Sequence, residues 1–149
     1  MVQLIIESIS IMLNAAFGDG YTYYSEGVEQ GLSEPCFFIQ NIKAEKNLFF
    51  DRRYLCENKF CIQYFPASEN EPKAECEEIA HRLYDVLEWL TFHDDGTMVK
   101  GTEFHHEISD EVLSFYVDYD LFLVKVPEQT NMETLKVKQR SKEDQSNGS

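Results

Sequence analysis

Apolar residues recur at helical spacing in the first seventeen positions. Ile5, Ile9, Met12, Leu13, Ala16 and Phe17 form one stripe, and Gly18 follows where a helix needs a residue free to leave the α-region. This predicts a first helix over about residues 2–17. Its other face carries few charges, which leaves room for a second contact, such as one with a neighbouring subunit. Gly18-Asp19-Gly20 reads as a turn, and Tyr21–Ser25 as a short strand from its aromatic and β-branched content. Residues 26–35 hold two glycines and a proline and read as a loop. Cys36–Glu45 is then a strand, with a turn expected around Lys46-Asn47. Arg52–Phe65 forms the return strand, in which Phe60, Ile62 and Tyr64 alternate with Cys61, Gln63 and Phe65 until Pro66 closes it.

Pro72 sits where a first-turn proline is tolerated. Beyond it Cys76, Ile79, Ala80, Leu83, Val86, Leu87 and Leu90 make one stripe, and Glu75, Glu77, Glu78, Asp85 and Glu88 mostly face away. A second helix is expected over about 71–91, its early acids suiting the positive end of the helix dipole. His93–Gly96 is a turn. Met98–Ile108 and Val112–Val126 read as two strands joined around Ser109-Asp110-Glu111. Leu113, Phe115, Val117, Tyr119, Leu121 and Leu123 line one face of the last strand. The expected order is therefore α-β-β-β-α-β-β. This is an α+β fold with a mixed or antiparallel sheet of about four to five strands and two helices on one face. The folded domain is expected over 1–127. From Glu128 the composition turns polar, and residues 128–149 read as a flexible or partner-ordered tail.

Composition narrows the function. The chain has 149 residues, 43% hydrophobic and 13% aromatic, enough for one domain burying roughly two-thirds of its unfolded surface. Its 27 acidic residues against 13 basic ones give a net charge of −14. Residues 1–127 hold 23 acidic and 9 basic residues and so carry all of that excess, while the last 22 are neutral. Phosphate binding depends on Lys and Arg displacing counterions, so specific nucleic-acid binding is not expected. Anionic membrane surfaces would repel such a domain as well. No signal peptide or membrane span is expected, and the four cysteines (36, 56, 61 and 76) are then read as buried free thiols.

Candidate chemistry is thin. His105 and His106 are adjacent on a strand and point to opposite faces, so they are poorly placed to share a metal. Cys56-x4-Cys61 has the wrong spacing for a zinc knuckle or a redox pair. No phosphate loop, dinucleotide fingerprint or nucleophile elbow occurs. No catalytic, cofactor-binding or metal residue is assigned, and the chain is not expected to be an enzyme. The aromatics suit a core and a subunit interface better than base stacking. Phe49-Phe50 near a hairpin tip is unusual, since such a tip rarely holds two phenylalanines without docking them on something. Asp51, Arg52 and Arg53 follow directly, the arginines available to an acidic partner or to the chain's own acids. Phe49, Phe50, Asp51, Arg52 and Arg53 are therefore the candidate interface residues.

Taken together, Phe17-Gly18, the tyrosine-rich strand, Glu29-Gln30-Gly31-Leu32, Pro35-Cys36-Phe37-Phe38-Ile39, Phe60–Pro66 and the acidic helix through Leu83–Glu88 resemble the phage tail terminator family of Gram-positive phages, prophages and phage-derived bacteriocins. The resemblance spans about residues 1–126. It implies a ring, usually hexameric, that caps the last ring of a tail tube, stops polymerisation and offers its other face to the head connector. The implied partners are copies of the chain, the tail tube protein, a sheath protein where there is one, and the connector where there is a head. The implied location is the head-proximal end of the tail, assembled in the host cytoplasm. Three readings compete with this. One is an acidic inhibitor or immunity-type protein covering a basic enzyme. Another is a head–tail joining or tail completion protein. The third is a small metal-dependent hydrolase using His105 or His106.

Overall fold

A computed structural model of the chain describes residues 1–25, 33–127 and, for the backbone, 133–139. Helix α1 spans Val2–Phe17 and ends at Gly18, whose φ of 93° takes the chain out of the helix while its amide bonds the Asn14 carbonyl. The other elements are β1 Thr22–Tyr24, β2 Cys36–Phe50, β3 Arg53–Phe65, α2 Pro72–Val86, β4 Trp89–Thr91, β5 Met98–Ser109, β6 Val112–Pro127 and β7 Glu133–Gln139. The fold is α+β, as the hydrophobic pattern predicts. Its mixed sheet runs β1-β2-β3-β6-β5-β4, with β7 paired to β6. Among the described strands only β1 is parallel to its neighbour. The five expected strands are all present, and β4 and β7 are additions. Part of the expected loop (26–32) and of the polar tail (128–132 and 140–149) lies outside the described residues. Residues 133–139 of that tail run antiparallel to β6 as β7.

Period-2 burial explains the core. Phe37 and Ile39 of β2, Phe60, Ile62 and Tyr64 of β3 and the odd-numbered residues Leu113–Leu123 of β6 are all buried. The register sets Phe37 beside Tyr64, Ile62 beside Phe115 and Phe60 beside Val117, so these side chains make one continuous apolar face. Both helices lie against it through Ile5, Ile9 and Leu13 of α1 and Cys76, Ile79, Ala80 and Leu83 of α2.

Two expected boundaries are corrected. The second helix stops at Val86, not near 91, and residues 89–91 pair with 98–100 instead. The cause is tertiary. The Leu87 carbonyl accepts the Tyr119 hydroxyl at 2.7 Å, and the Glu88 carbonyl accepts the Gly101 amide at 2.8 Å. Those carbonyls are thereby satisfied by the sheet, and Leu90 reaches the core from a strand. The β2 turn is also misplaced by pattern alone. The strand runs through Lys46 and Asn47, which face Cys56 and Leu55, and reverses only at Asp51-Arg52. Asp51 supplies the left-handed conformation the turn needs, at φ 56°. At the β5–β6 turn, Asp110 and Glu111 both have positive φ, as a two-residue hairpin of the primed type requires.

A candidate assembly interface

The strands that form the core run on beyond its centre, with Cys56, Tyr119, Leu121 and Leu123 of this stretch still buried on one face. β5 leaves β6 at Gly101, opposite Tyr119, and β7 takes its place from Leu121 onward. Beyond that point residues 43–50 of β2, 53–59 of β3 and 118–127 of β6 form a plate together with β7. Every residue of β2 from Lys43 to Phe50 is exposed. At about 3.3 Å per residue, eight such residues give an arm roughly 26 Å long. β1 covers β2 only at Cys36–Phe38, so among the described residues no strand pairs with the outer edge from Ile39 to Phe50. A long unpaired edge is a template for a strand from another chain unless something blocks it.

The tip of the arm carries the residues singled out in the sequence. Leu48, Phe49 and Phe50 are 61%, 61% and 69% exposed. Phe49 leans across β3 onto Phe122, with ring centroids 5.2 Å apart, while Phe50 is the most exposed large apolar side chain described. Asp51 and Arg52 form the turn, and the Arg52 carbonyl accepts the Lys125 amide at 3.0 Å, which anchors the tip to β6. Neither Arg52 nor Arg53 forms an ion pair with a described residue. Lys46 lies over the Tyr54 ring at 5.0 Å, and Lys59 pairs with Asp118 at 2.7 Å. The structure thus brings Phe49 to Arg53 together on one projecting edge.

Sequence reading missed a second exposed apolar surface. β4 and β5 turn Leu90 and Val99 inward, so Trp89 and Met98 face outward, 38% and 42% exposed. Lys100 sits over the Trp89 ring at 5.3 Å and bonds Glu88 at 3.1 Å. At the other end of this patch lies the exposed Asp94-Asp95 turn, where the Asp95 carboxylate accepts the Thr97 amide and is held below its ordinary range. Assigning 89–91 to a helix conceals the patch, because the outward set is defined by strand alternation.

Several other titratable groups are used internally. His105 stacks on Tyr116 with centroids 4.5 Å apart, and His106 bonds the Tyr84 hydroxyl at 2.9 Å and Glu77 at 3.3 Å, so the two imidazoles serve opposite faces. Glu75 accepts the Tyr64 hydroxyl and the amides of Ala67 and Ser68, which pins the β3–α2 connection to the helix. All four cysteines are buried and free of disulfides, and burial raises each thiol above its ordinary range. Among the described residues no group of three or more His, Cys, Asp or Glu is placed to hold a metal ion, and no helix is long and apolar enough to cross a membrane.

A family model described as phage tail terminator protein matches residues 4–131. No curated protein matches the chain. The matched span takes in all but the first two residues of α1, the whole of α2, β1 to β6 and both exposed patches, and on that coverage the chain belongs to the phage tail terminator family, a family of structural tail proteins.

Proposed function

We propose that copies of this chain close into a ring, hexameric as is usual in the family, on the last ring of the tail tube. The ring stops tube polymerisation and presents its head-proximal face to a connector, or closes the top of a headless particle. The projecting plate is the single observation that carries this reading. A tip with Leu48, Phe49 and Phe50 mostly exposed, beside a strand edge that no described strand pairs, leaves apolar surface in water even though Phe49 meets Phe122 on one side. A monomer gains nothing from holding it in water. Phe49, Phe50, Asp51, Arg52 and Arg53 contact the next subunit or the tube rim, and the ring also touches the sheath where the tail is contractile. DNA passes through the ring without specific binding.

Deleting the gene tests the capping role by tail length in electron micrographs. Overgrown tails of irregular length are expected. Tails of normal length that fail only to join heads would replace the capping role with head–tail joining.

A further inference from the structure

The fold separates charge in a way that the linear sequence does not display. Residues 43–59 and 118–127, which build the plate, hold six basic and five acidic residues. The described residues of the body (1–25, 33–42 and 60–117) hold three basic and sixteen acidic ones. The three body cations lie on α2 (Lys73 and Arg82) and β5 (Lys100). Two of them are engaged within the chain: Arg82 with the Ala16 carbonyl and the Phe17 ring, and Lys100 with Glu88 and Trp89. The molecule is therefore a weakly basic arm on a strongly acidic body.

The two exposed apolar patches follow the same division. At the arm tip, Leu48, Phe49 and Phe50 lie between Lys46 on one side and Asp51, Arg52 and Arg53 on the other. On the body, Trp89 and Met98 lie between Glu88 and the Asp94-Asp95 turn. With Asp51 and Lys100 counted, the larger tip patch keeps a net positive rim and the smaller body patch a net negative one. The first patch is on β2 and the second on β4 and β5, toward opposite ends of the strand order, with β1 alone outside β2.

We infer that the Trp89–Met98 patch of one copy is the receptor for the Phe49–Phe50 tip of the next. This rests on the ring reading above and adds its missing half, the acceptor surface. A closed ring of identical chains needs two different complementary patches on each copy, joined head to tail. The arm and the β4–β5 edge meet that requirement. Desolvation of the aromatic side chains provides attraction, and the flanking charges set the orientation and disfavour tip-to-tip or patch-to-patch pairing.

The test uses the full chain in assembled tails, with Phe50 replaced by the photo-crosslinking residue p-benzoylphenylalanine. Mass spectrometry should place the crosslink within residues 88–100 of a second copy. In parallel, Arg52→Glu with Arg53→Glu should reduce ring occupancy at tail ends roughly tenfold, and adding Asp94→Arg with Asp95→Arg should restore it. Crosslinks to another part of the second copy or to the tube protein, or no restoration by the reversed pair, would overturn the assignment. Micrographs of tails carrying the unaltered chain separate the two levels: a ring at the tail end there, with crosslinks elsewhere in the Phe50 variant, removes only this acceptor site, whereas no ring on the unaltered tails removes the ring reading with it.

Discussion

Tyr119 is fully buried in the centre of β6, where only an internal acceptor can satisfy its hydroxyl, and burial drives its ionisation far up. That acceptor is the Leu87 carbonyl at the end of α2, at 2.7 Å. Tyr119→Phe removes the donor and leaves a buried carbonyl short of a partner, so a loss of about 1–3 kcal/mol is expected. Urea denaturation should show a lower midpoint with an unchanged slope. Cys76 gives a pH prediction at the same scale. Burial, reinforced by the neighbouring Glu75 carboxylate, pushes its thiol from 9.0 up to about 11. The folded state thus holds this proton more tightly than the unfolded chain does. The stabilisation is complete below the ordinary thiol range and is lost as pH rises from about 9 through about 11. Stability should fall over that window, and Cys76→Ala should flatten the fall. A thiol reagent at neutral pH should find the cysteines protected in the native protein and all four reactive in denaturant.

Among the elements, the junction of α2 and β4 depends on a close approach at Gly101. A Cβ there would lie 2.7 Å from the Phe104 ring, 2.9 Å from Val117 and 3.0 Å from the Leu87 carbonyl. Phe104 can swing away, but the carbonyl belongs to the helix terminus that the sheet holds in place. Gly101→Ala should therefore cost about 1–3 kcal/mol, read by thermal unfolding of the purified chain. The arm predicts the opposite behaviour. Phe49→Ser with Phe50→Ser changes side chains that are mostly in water, so the monomer should keep its stability to within about 1 kcal/mol. Ring occupancy at tail ends should nevertheless fall sharply in micrographs. A large loss of monomer stability instead would make these rings part of the chain's own core.

The whole molecule is marked by uneven charge. An acidic body and a weakly basic arm attract between copies only where solvent screening allows. Raising salt from about 0.1 M to about 1 M shortens the screening length from roughly 10 Å to roughly 3 Å. Assembly measured by sedimentation on tail ends should weaken across that range and retain an apolar remainder. Assembly indifferent to salt would leave the flanking charges without a role. The same unevenness argues against the acidic-inhibitor reading, since a surface that imitates nucleic acid has no use for an Arg52-Arg53 tip that pairs with no acid among the described residues.

Much of this architecture is readable in one dimension. The α1 stripe, its stop at Gly18, the alternation of β6 and the Asp110-Glu111 turn each arise from residues near in sequence, whose spacing alone decides which side can be buried. The resemblance to tail terminators is likewise carried by local runs such as Pro35–Ile39 and Phe60–Pro66. The Phe49–Arg53 segment stands out from composition alone. What pattern could not supply depends on partners distant along the chain. Leu90 fits a helical stripe and a strand equally well, and the choice is made by Tyr119 and Gly101 capturing the carbonyls of Leu87 and Glu88. Residues 46 and 47 remain in a strand because Cys56 and Leu55 lie opposite them. The separation of a basic arm from an acidic body is also a product of folding. Residues 43–59 and 118–127 are remote in sequence, and only antiparallel pairing lays them side by side, because backbone hydrogen bonding fixes neighbours without regard to chain distance.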